Sequence, residues 1–315
     1  APQGDGITAE GRLLLLDGSL QITAAGAGLC SGEALYAAGG FFTVDSLAQA
    51  IQAADTVYLQ DGVFSLQTGG SSVQAGKELT ISGGVYNVTA GKTETGKAEN
   101  SSIQQSSRQK ATAAGVFSAG TSMTLRGGAF TIDGAGGSRS DGSISASHTL
   151  NAADYGFQCD GILTIDGAEI VIESCETALF AQSVDIKGGT VSISAVQTGV
   201  RTTDSFSDEE KDSAAYETGI MVSGGQLSIQ TQGDGVASSG FFTLTGGVVL
   251  VETSARSQEN SAFTWNPKSR CTLSGGSLAV LSAGAAIQAP SSAQGMINAV
   301  LLSLTTAAGQ KLQLK

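Results

Sequence analysis

The apolar residues of this chain recur in a fixed frame around a tight-turn dipeptide, usually Gly-Gly or Asp-Gly. The second residue of the dipeptide falls at Gly18, Gly40, Gly62 and Gly84, which are 22 residues apart. The series continues after steps of varying length, at Gly128, Ala168, Gly189, Gly225, Gly247 and Gly276. The frame therefore occurs ten times, and a degenerate eleventh copy is expected near Asn298.

Apolar residues alternate with polar ones on both sides of each turn. The position five before the turn is apolar in every copy, as are the positions three before, two after and four after it. This period of two is the pattern of a β-strand with one buried face. Each turn is thus predicted to join two strands. A further apolar position eleven before the turn, occupied by Ile7, Leu29 and Ile51 in the first copies, predicts a third.

Three short strands in each copy predict an all-β fold, a single right-handed parallel β-helix of about ten or eleven coils of roughly 22 residues. We expect one domain over residues 1–315, with loop insertions near residues 91–115, 133–153 and 201–217, where polar segments interrupt the frame. Residues 45–54 look helical in isolation. The unbroken 22-residue spacing across them favours the strand pattern instead.

Composition narrows the classes of function. The formal net charge is −12, which repels nucleic-acid phosphates, so nucleic acid is not an expected partner. The longest tight apolar cluster, residues 13–16, is far too short for membrane insertion. The first residues lack both a Met and a basic segment, as in a secreted protein whose leader was removed or in a trimmed chain. The expected location is secreted or at the cell surface.

Few residues suggest catalysis. Enzymes that cleave polysaccharides on this scaffold need clustered carboxylates and usually a basic partner, and the predicted strands carry no such cluster. The single histidine, His148, lies in a Ser-rich insertion and receives no role. The four cysteines form no Cys-x-x-Cys pair and are interpreted as free thiols. We therefore expect a protein that is not an enzyme.

Acidic residues near the turns are candidate metal ligands. Asp5 and Asp234 share a Gly-Asp-Gly sequence thirteen residues before their turns, although about eight coils separate them. Asp154, Asp160 and Glu176, on adjacent coils, form a second candidate group. Calcium takes six to eight oxygen ligands, which neighbouring carbonyl groups would have to complete. The alternative, that these Asp residues only shape turns, stays open at this point.

Aromatic side chains outside the apolar positions are candidates for stacking on sugar rings. They are Trp265, Tyr155 and Tyr216, all near the insertions or off the core positions. Trp265 fits equally well as a cap on the edge of the fold. These three residues are the predicted carbohydrate contacts.

Residues 185–193 (DIKGGTVSI) and 233–236 (GDGV) resemble the carbohydrate-binding β-helix family of clostridial and related cell-surface proteins. That family repeats an Asp-Gly-Ile turn followed by a Thr-Ile-x-Gly-Gly-Thr-x-x-Ile strand pair. The resemblance implies a three-sided β-helix, calcium bound at turn carboxylates, and binding of polygalacturonate or cellulose-like glycans. Only Asp5 and Asp234 match the acidic turn; residues 27–29, 155–157 and 198–200 keep its Gly and hydrophobe but lack the carboxylate.

The leading hypothesis is a non-catalytic, carbohydrate-binding surface or secreted protein, whose partner is an acidic or cellulose-like polysaccharide. One alternative is an adhesin or structural stalk that binds a host or cell-surface protein through the insertions near residues 91–115 and 201–217. The other is a degenerate polysaccharide lyase or hydrolase.

Overall fold

The computed structural model describes residues 4–91, 115–134, 155–203, 218–254, 261–265, 271–282, 302–305 and 311–314. Within these ranges every regular element is a β-strand, and 26 of the strands form one sheet by parallel pairing. The predicted all-β, parallel architecture is confirmed. The right-handed winding, the coil repeat and the single domain stay predictions. No helix in the described part of the chain is long and apolar enough to cross a membrane.

The strands fall into three stacks, and each copy of the frame contributes one strand to each stack. The first stack contains β1 (Ile7–Ala9), β4 (Leu29–Ser31), β7 (Ile51–Ala53), β10 (Val73–Ala75), β13 (Gly115–Ala119), β18 (Thr198–Thr202), β21 (Asp234–Ser238) and β24 (Phe263–Trp265). The second contains β2 (Leu13–Leu15), β5 (Ala34–Ala37), β8 (Thr56–Leu59), β11 (Glu78–Ile81), β14 (Ser122–Leu125), β19 (Gly219–Val222), β22 (Phe241–Leu244) and β25 (Cys271–Leu273). The third contains β3 (Ser19–Ala24), β6 (Phe41–Ser46), β9 (Val63–Thr68), β12 (Val85–Ala90), β15 (Ala129–Gly134), β20 (Gln226–Thr231), β23 (Val248–Thr253) and β26 (Ser277–Ser282).

Two long strands connect the halves of the sheet. β16 (Tyr155–Ser174) and β17 (Thr177–Ala195) each pass through all three stacks, with shifts in register where the chain bends from one stack to the next. A separate antiparallel hairpin pairs β27 (Leu302–Thr305) with β28 (Lys311–Leu314).

Residues at the same position of the frame lie side by side in each stack. In the first stack Ile7 pairs with Leu29, Leu29 with Ile51, and Ile51 with Val73, in steps of 22 residues. The next step runs from Val73 to Phe117, 44 residues later, and so passes over the predicted insertion near residues 91–115. The insertions near residues 91–115, 133–153 and 201–217, and the expected copy near Asn298, lie mostly or wholly outside the described residues.

Residues 45–54, which look helical in isolation, do not form a helix. β6 ends at Ser46 and β7 begins at Ile51, with a bend between them. The 22-residue spacing therefore gave the right prediction. One turn differs from the frame. The glycines predicted at the turns have positive φ, but in the copy with Ala168 the positive φ of 107° belongs to Gly167. A residue with a Cβ resists this conformation, so the preceding glycine adopts it.

Inward side chains form one continuous core. The predicted apolar positions are buried along all three stacks, except near the ends, where five of them are only partly buried: Ile7, Leu13, Leu15, Leu20 and Leu278. β9 shows the strict alternation of exposed and buried residues. Four buried rings in the third stack lie nearly parallel, one above the other: Phe42, Phe64, Tyr86 and Phe130. Their successive centroids are 4.8, 4.8 and 4.6 Å apart. This spacing matches the distance of about 4.8 Å between hydrogen-bonded strands, so the backbone pairing sets the ring stacking.

One ring of this ladder carries a polar group into the core. The Tyr86 hydroxyl donates a hydrogen bond of 3.0 Å to the Gly83 carbonyl oxygen, so the buried oxygen has a partner. Burial raises the pKa of Tyr86 far above its ordinary value. Tyr86 is therefore a neutral, structural residue, in contrast to the exposed Tyr36.

We expect Phe64→Ala to lower the free energy of unfolding by about 3–5 kcal/mol, because it removes a buried ring between two stacked neighbours. Phe41→Ala makes the same chemical change at an outward position of the neighbouring strand and should alter stability by no more than about 0.5 kcal/mol. Urea unfolding followed by circular dichroism measures both. Equal losses for the two variants would contradict the assignment of inward and outward faces.

Candidate functional site

Outward side chains near the carboxyl ends of the third-stack strands line a groove of about 370 Å³. Ser194, Gln230 and Glu252 lie in register on successive strands, and Glu173 precedes them at the corresponding position of β16. All four side chains are exposed, because the residue before each of them is a buried apolar residue that faces inward: Ile172, Ile193, Ile229 and Val251. We call these four residues the groove row. The sequence builds it at the fifth position after the turn.

A smaller groove of about 190 Å³ continues from the first toward β26. It shares Gln230 and Glu252 with the first groove and adds the apolar side chains of Leu250, Ala279 and Leu281. The two grooves together cross the strands along the stacking direction. Hydroxyl, amide and carboxylate groups therefore occupy one part of this surface, and aliphatic groups occupy the part beside it.

The groove row offers both donors and acceptors. The Gln230 Nε2 donates a hydrogen bond of 3.2 Å to Glu252 Oε2, which orients both exposed side chains. This leaves the Gln230 carbonyl oxygen, the second Glu252 oxygen and the Ser194 hydroxyl as possible ligand contacts. A ligand rich in hydroxyl groups, each both donor and acceptor, matches such a row.

The two carboxylates of the groove row are far apart. Glu173 and Glu252 are separated by three strand-to-strand steps, which places their backbones roughly 14 Å apart. Glycosidases hold their paired carboxyl groups about 5–9.5 Å apart. The spacing of this pair therefore differs from that of an acid/base pair acting on one glycosidic bond.

Asp5 and Asp234 use their carboxylates to join neighbouring copies of the frame. The Ala27 N–H donates to Asp5 Oδ1, and the Ser261 N–H donates to Asp234 Oδ1, each over 2.7 Å. One oxygen of each predicted calcium ligand is thus bonded to the backbone of the next copy. This contact supplies a structural reason for the acid at the turn.

The glycine after each of these acids meets a packing requirement. A Cβ at Gly6 would collide with the inward Ile22 side chain and with the Gly28 carbonyl oxygen of the next copy. At the same position of the frame, a Cβ at Gly235 would collide with the inward Val251 side chain and with the Ala262 carbonyl oxygen. The close approach of consecutive copies therefore explains the glycine of the Asp-Gly-hydrophobe motif.

Two members of the second predicted metal group, Asp160 and Glu176, lie far apart in the described structure. Glu176 precedes the segment that starts at Thr177, and Asp160 follows the paired segment that ends at Cys159. About six residues of strand separate the two positions, or roughly 20 Å. Asp154 lies outside the described residues. No group of three or more His, Cys, Asp or Glu side chains in the described ranges could hold a metal, so the residues in view do not fit a calcium cage; calcium stays a prediction.

The predicted sugar-stacking residues lie in different places. Tyr155 is half-buried and stacks on Phe180, with ring centroids 4.6 Å apart, so one face of each ring is already covered. Trp265 ends β24, where its backbone pairs with Ser238. Tyr216 lies outside the described residues. Within the described residues, Tyr155 in β16 and Trp265 in β24 lie on strands four strand-to-strand steps apart, and the three predicted sugar contacts stay predictions.

Two features of the outer surface were not predicted from the sequence, because the frame was defined by its inward positions. The groove row could have been found from the polar residues five after each turn, although the step from Ser194 to Gln230 spans 36 residues and hides their proximity. The outward pair of exposed Tyr36 and half-buried Tyr58 was also missed, although the two residues are 22 apart and therefore adjacent.

Cys30 is the most accessible of the four cysteines. All four are free thiols, as predicted, and Cys159, Cys175 and Cys271 are buried. Burial raises the pKa of Cys159 to about 11, of Cys175 to about 12 and of Cys271 to about 11. Partial burial and then the Asp5 charge raise the pKa of Cys30.

A family model described as "Carbohydrate-binding domain-containing protein" matches residues 1–152 and again residues 146–308. The two matches together cover nearly the whole chain. Neither a curated protein nor a solved structure matches it.

We expect a thiol reagent such as DTNB at pH 8 to modify Cys30 first and the other three cysteines only after unfolding. Their raised pKa keeps the buried thiols protonated, and modification should accelerate as the pH rises toward 11. Absorbance of the released thiolate in native and urea-unfolded protein measures this. Cys30→Ser is the control and should remove the native-state reaction. Rapid native modification of two or more thiols would contradict the described burial.

Proposed function

Because the chain belongs to the family of carbohydrate-binding domain-containing proteins, we propose that it binds a polysaccharide without cleaving it, and that the groove row is the contact surface. Family membership supports the carbohydrate-binding function, and the groove supplies a surface with matching chemistry. The observation that carries the proposal is the registered line of hydroxyl, amide and carboxylate groups at Ser194, Gln230 and Glu252.

A repeated row suits a repeated ligand. Equivalent positions recur about every 4.8 Å along the stack, so successive units of a polymer can meet successive side chains. Each hydrogen bond contributes little because it replaces one with water, and affinity then depends on several contacts acting together. The aliphatic groups of Leu250 and Leu281 beside the row can cover the C–H surface of a sugar ring.

The proposed absence of cleavage rests on the position of the carboxylates. Glu173 and Glu252 lie at opposite ends of the groove row, too far apart to flank a single bond. Hydrogen bonding to hydroxyl groups needs no such pairing. A degenerate lyase or hydrolase remains the enzymatic alternative, and release of reducing or unsaturated sugar by the purified protein would support it.

We propose a neutral glycan in preference to an acidic one. The groove row contains two carboxylates and no basic side chain, and the chain carries a formal net charge of −12. A uronate polymer would bring further negative charge to this surface, where repulsion is only partly screened at physiological salt. Of the two glycan classes implied by the resemblance, the cellulose-like one therefore fits better.

The proposed scaffold is the right-handed β-helix expected from the sequence. The three parallel stacks and their 22-residue register support it. We also propose a secreted or cell-surface location, where a polysaccharide would be met. Binding of a partner protein through the insertions stays an alternative prediction, since those segments lie outside the described residues.

We expect Gln230→Ala and Glu252→Ala each to weaken binding of a neutral polysaccharide such as hydroxyethylcellulose by about three- to tenfold. Both residues point to solvent, so thermal stability should not change. Affinity gel electrophoresis against graded polysaccharide concentrations, with and without EDTA, gives the dissociation constants. The EDTA samples reveal any calcium requirement separately.

Gln67→Ala is the matched control for these variants. Gln67 occupies the same outward position of the frame as Gln230 but lies in β9, away from the groove. Its loss should leave binding unchanged. Equal weakening by Gln67→Ala and Gln230→Ala would reject the groove as the site, and failure of a broad panel of glycans to bind the unaltered protein would reject the function.

We expect weaker binding of polygalacturonate than of the neutral polymer, with a difference that shrinks as salt is raised from 50 to 500 mM. Glu252→Gln removes one negative charge while keeping an oxygen acceptor, so it should improve polygalacturonate binding relative to the neutral polymer. The same electrophoretic titration measures this ratio. Preference for polygalacturonate that is independent of salt would overturn the proposed charge selectivity.

A further inference from the structure

Large apolar side chains project into solvent on either side of the turns in the first four copies of the frame. Tyr36 is 41% exposed and Phe41 is 63% exposed, and they flank the turn that ends at Gly40. Around them lie Leu14, Leu16, Tyr58, Val63 and Val85, of which Tyr58 is half-buried and the others are exposed. We call these seven residues the aromatic face.

The aromatic face departs from the pattern of the surrounding surface. The position of Tyr36 and Tyr58 is threonine in most other copies: Thr80, Thr124, Thr164, Thr243 and Thr272. Threonine suits an exposed strand position, so the fold does not require a ring there. Phe41 likewise gains little from the core, because Phe42 is the residue of that strand that faces inward. The outward rings therefore leave apolar surface for contact with a ligand.

The two tyrosines present a shaped surface. Tyr36 pairs in register with Tyr58, and their ring centroids lie 5.8 Å apart at an angle of 47°. The Ser82 hydroxyl donates a 3.3 Å hydrogen bond to the Tyr58 oxygen, which holds the second ring in place. The result is an apolar surface with a hydroxyl group at its edge. Such a surface complements a pyranose ring, which has an apolar C–H face and a rim of hydroxyl groups.

The rim of the aromatic face is polar, and its charged side chains carry more negative than positive charge. Asp17 and Asp61 lie at the turns, where each accepts a hydrogen bond from the N–H of the following glycine and keeps its other oxygen exposed. The nearest cations are paired, Arg12 with Glu33 and Lys77 with Asp55. No free positive charge in this described region would attract an acidic ligand. The chemistry favours a neutral ligand with hydroxyl groups.

We infer that the aromatic face is a second glycan-binding subsite, which stacks on the ring faces of a neutral oligosaccharide. This inference rests on the proposed carbohydrate-binding function, and it adds a site that differs from the groove row in both place and chemistry. The aromatic face lies within the first family match and the groove row within the second. About five strand-to-strand steps, roughly 24 Å, separate Tyr58 from Gln230 along the stack. Their frame positions also differ by nine residues, in the second and the third stack, so only a long polymer can contact both.

Two subsites on one rigid scaffold bind a long polymer more tightly than either subsite alone. Once one subsite is occupied, the polymer is held at high effective concentration near the other. Short oligosaccharides lack this advantage and must occupy the subsites independently. A comparison of short and long glycans therefore separates binding at each single subsite from the gain in affinity when one polymer occupies both.

Isothermal titration with cellohexaose, xylohexaose and mannohexaose tests the inference on the full chain. Each molecule of the unaltered protein should bind two molecules of any hexaose that it recognises, that is, two equivalents. Tyr36→Ala and Phe41→Ala, made together, should remove one equivalent and weaken hydroxyethylcellulose roughly tenfold or more. Gln230→Ala with Glu252→Ala should remove the other equivalent.

Conservative and matched variants keep the test specific to stacking. Tyr36→Phe retains the ring and should keep both equivalents. Val248→Ala removes an exposed apolar side chain at the frame position of Phe41, but in the second half of the chain, and should not affect the aromatic subsite. Thermal unfolding of every variant confirms that the fold is retained.

The outcomes separate this inference from the function on which it rests. If a hexaose binds, and only the groove variants weaken it, the aromatic subsite is rejected while the proposed function stands. If no glycan binds the unaltered protein, both are rejected. Sedimentation velocity over a range of concentrations tests the other possible occupant, a second copy of the chain. A dimer that dissociates in Tyr36→Ala, with glycan binding unchanged, would also overturn the inference.

Discussion

Parallel backbone pairing between residues at the same position of consecutive frame copies is the interaction on which the rest of this structure depends. It places like residues on top of one another at a spacing of about 4.8 Å. Buried rings then stack on buried rings, as Phe42, Phe64 and Tyr86 do. The same pairing brings the Asp5 carboxylate to the Ala27 amide and forces glycine where consecutive copies approach closely.

The outer surface follows from the inner one. Once alternate residues are committed to the core, the residues between them form straight outward rows across the strands. The groove row is one such row, rich in hydrogen-bonding groups, and the aromatic face combines neighbouring rows that carry aliphatic and aromatic side chains. Neither is a deep pocket. Both are extended along the stack, which is the geometry suited to a polymer that contacts many equivalent positions weakly.

Charge and spacing constrain what these rows can do. The groove row holds Glu173 and Glu252 at its two ends, so it carries negative charge without pairing the carboxylates over one bond. The turn acids Asp5 and Asp234 each commit one oxygen to the backbone, which explains their presence through folding. Affinity is therefore proposed to come from several modest contacts on a rigid frame, strengthened when one polymer meets two subsites.

The sequence by itself determined the class of fold, the turns to within a residue and the residues that face inward, because alternation within a strand and the repeat of the frame are both local patterns. It also identified the Asp-Gly turns and the free cysteines. Only the tertiary structure decided which outward residues are neighbours. Insertions change the number of residues between paired strands, so Gln230 meets Ser194 across 36 residues, whereas Asp160 and Glu176, only 16 apart, lie at opposite ends of paired segments. Proximity across the surface depends on register, which long-range backbone hydrogen bonds set and local sequence does not specify.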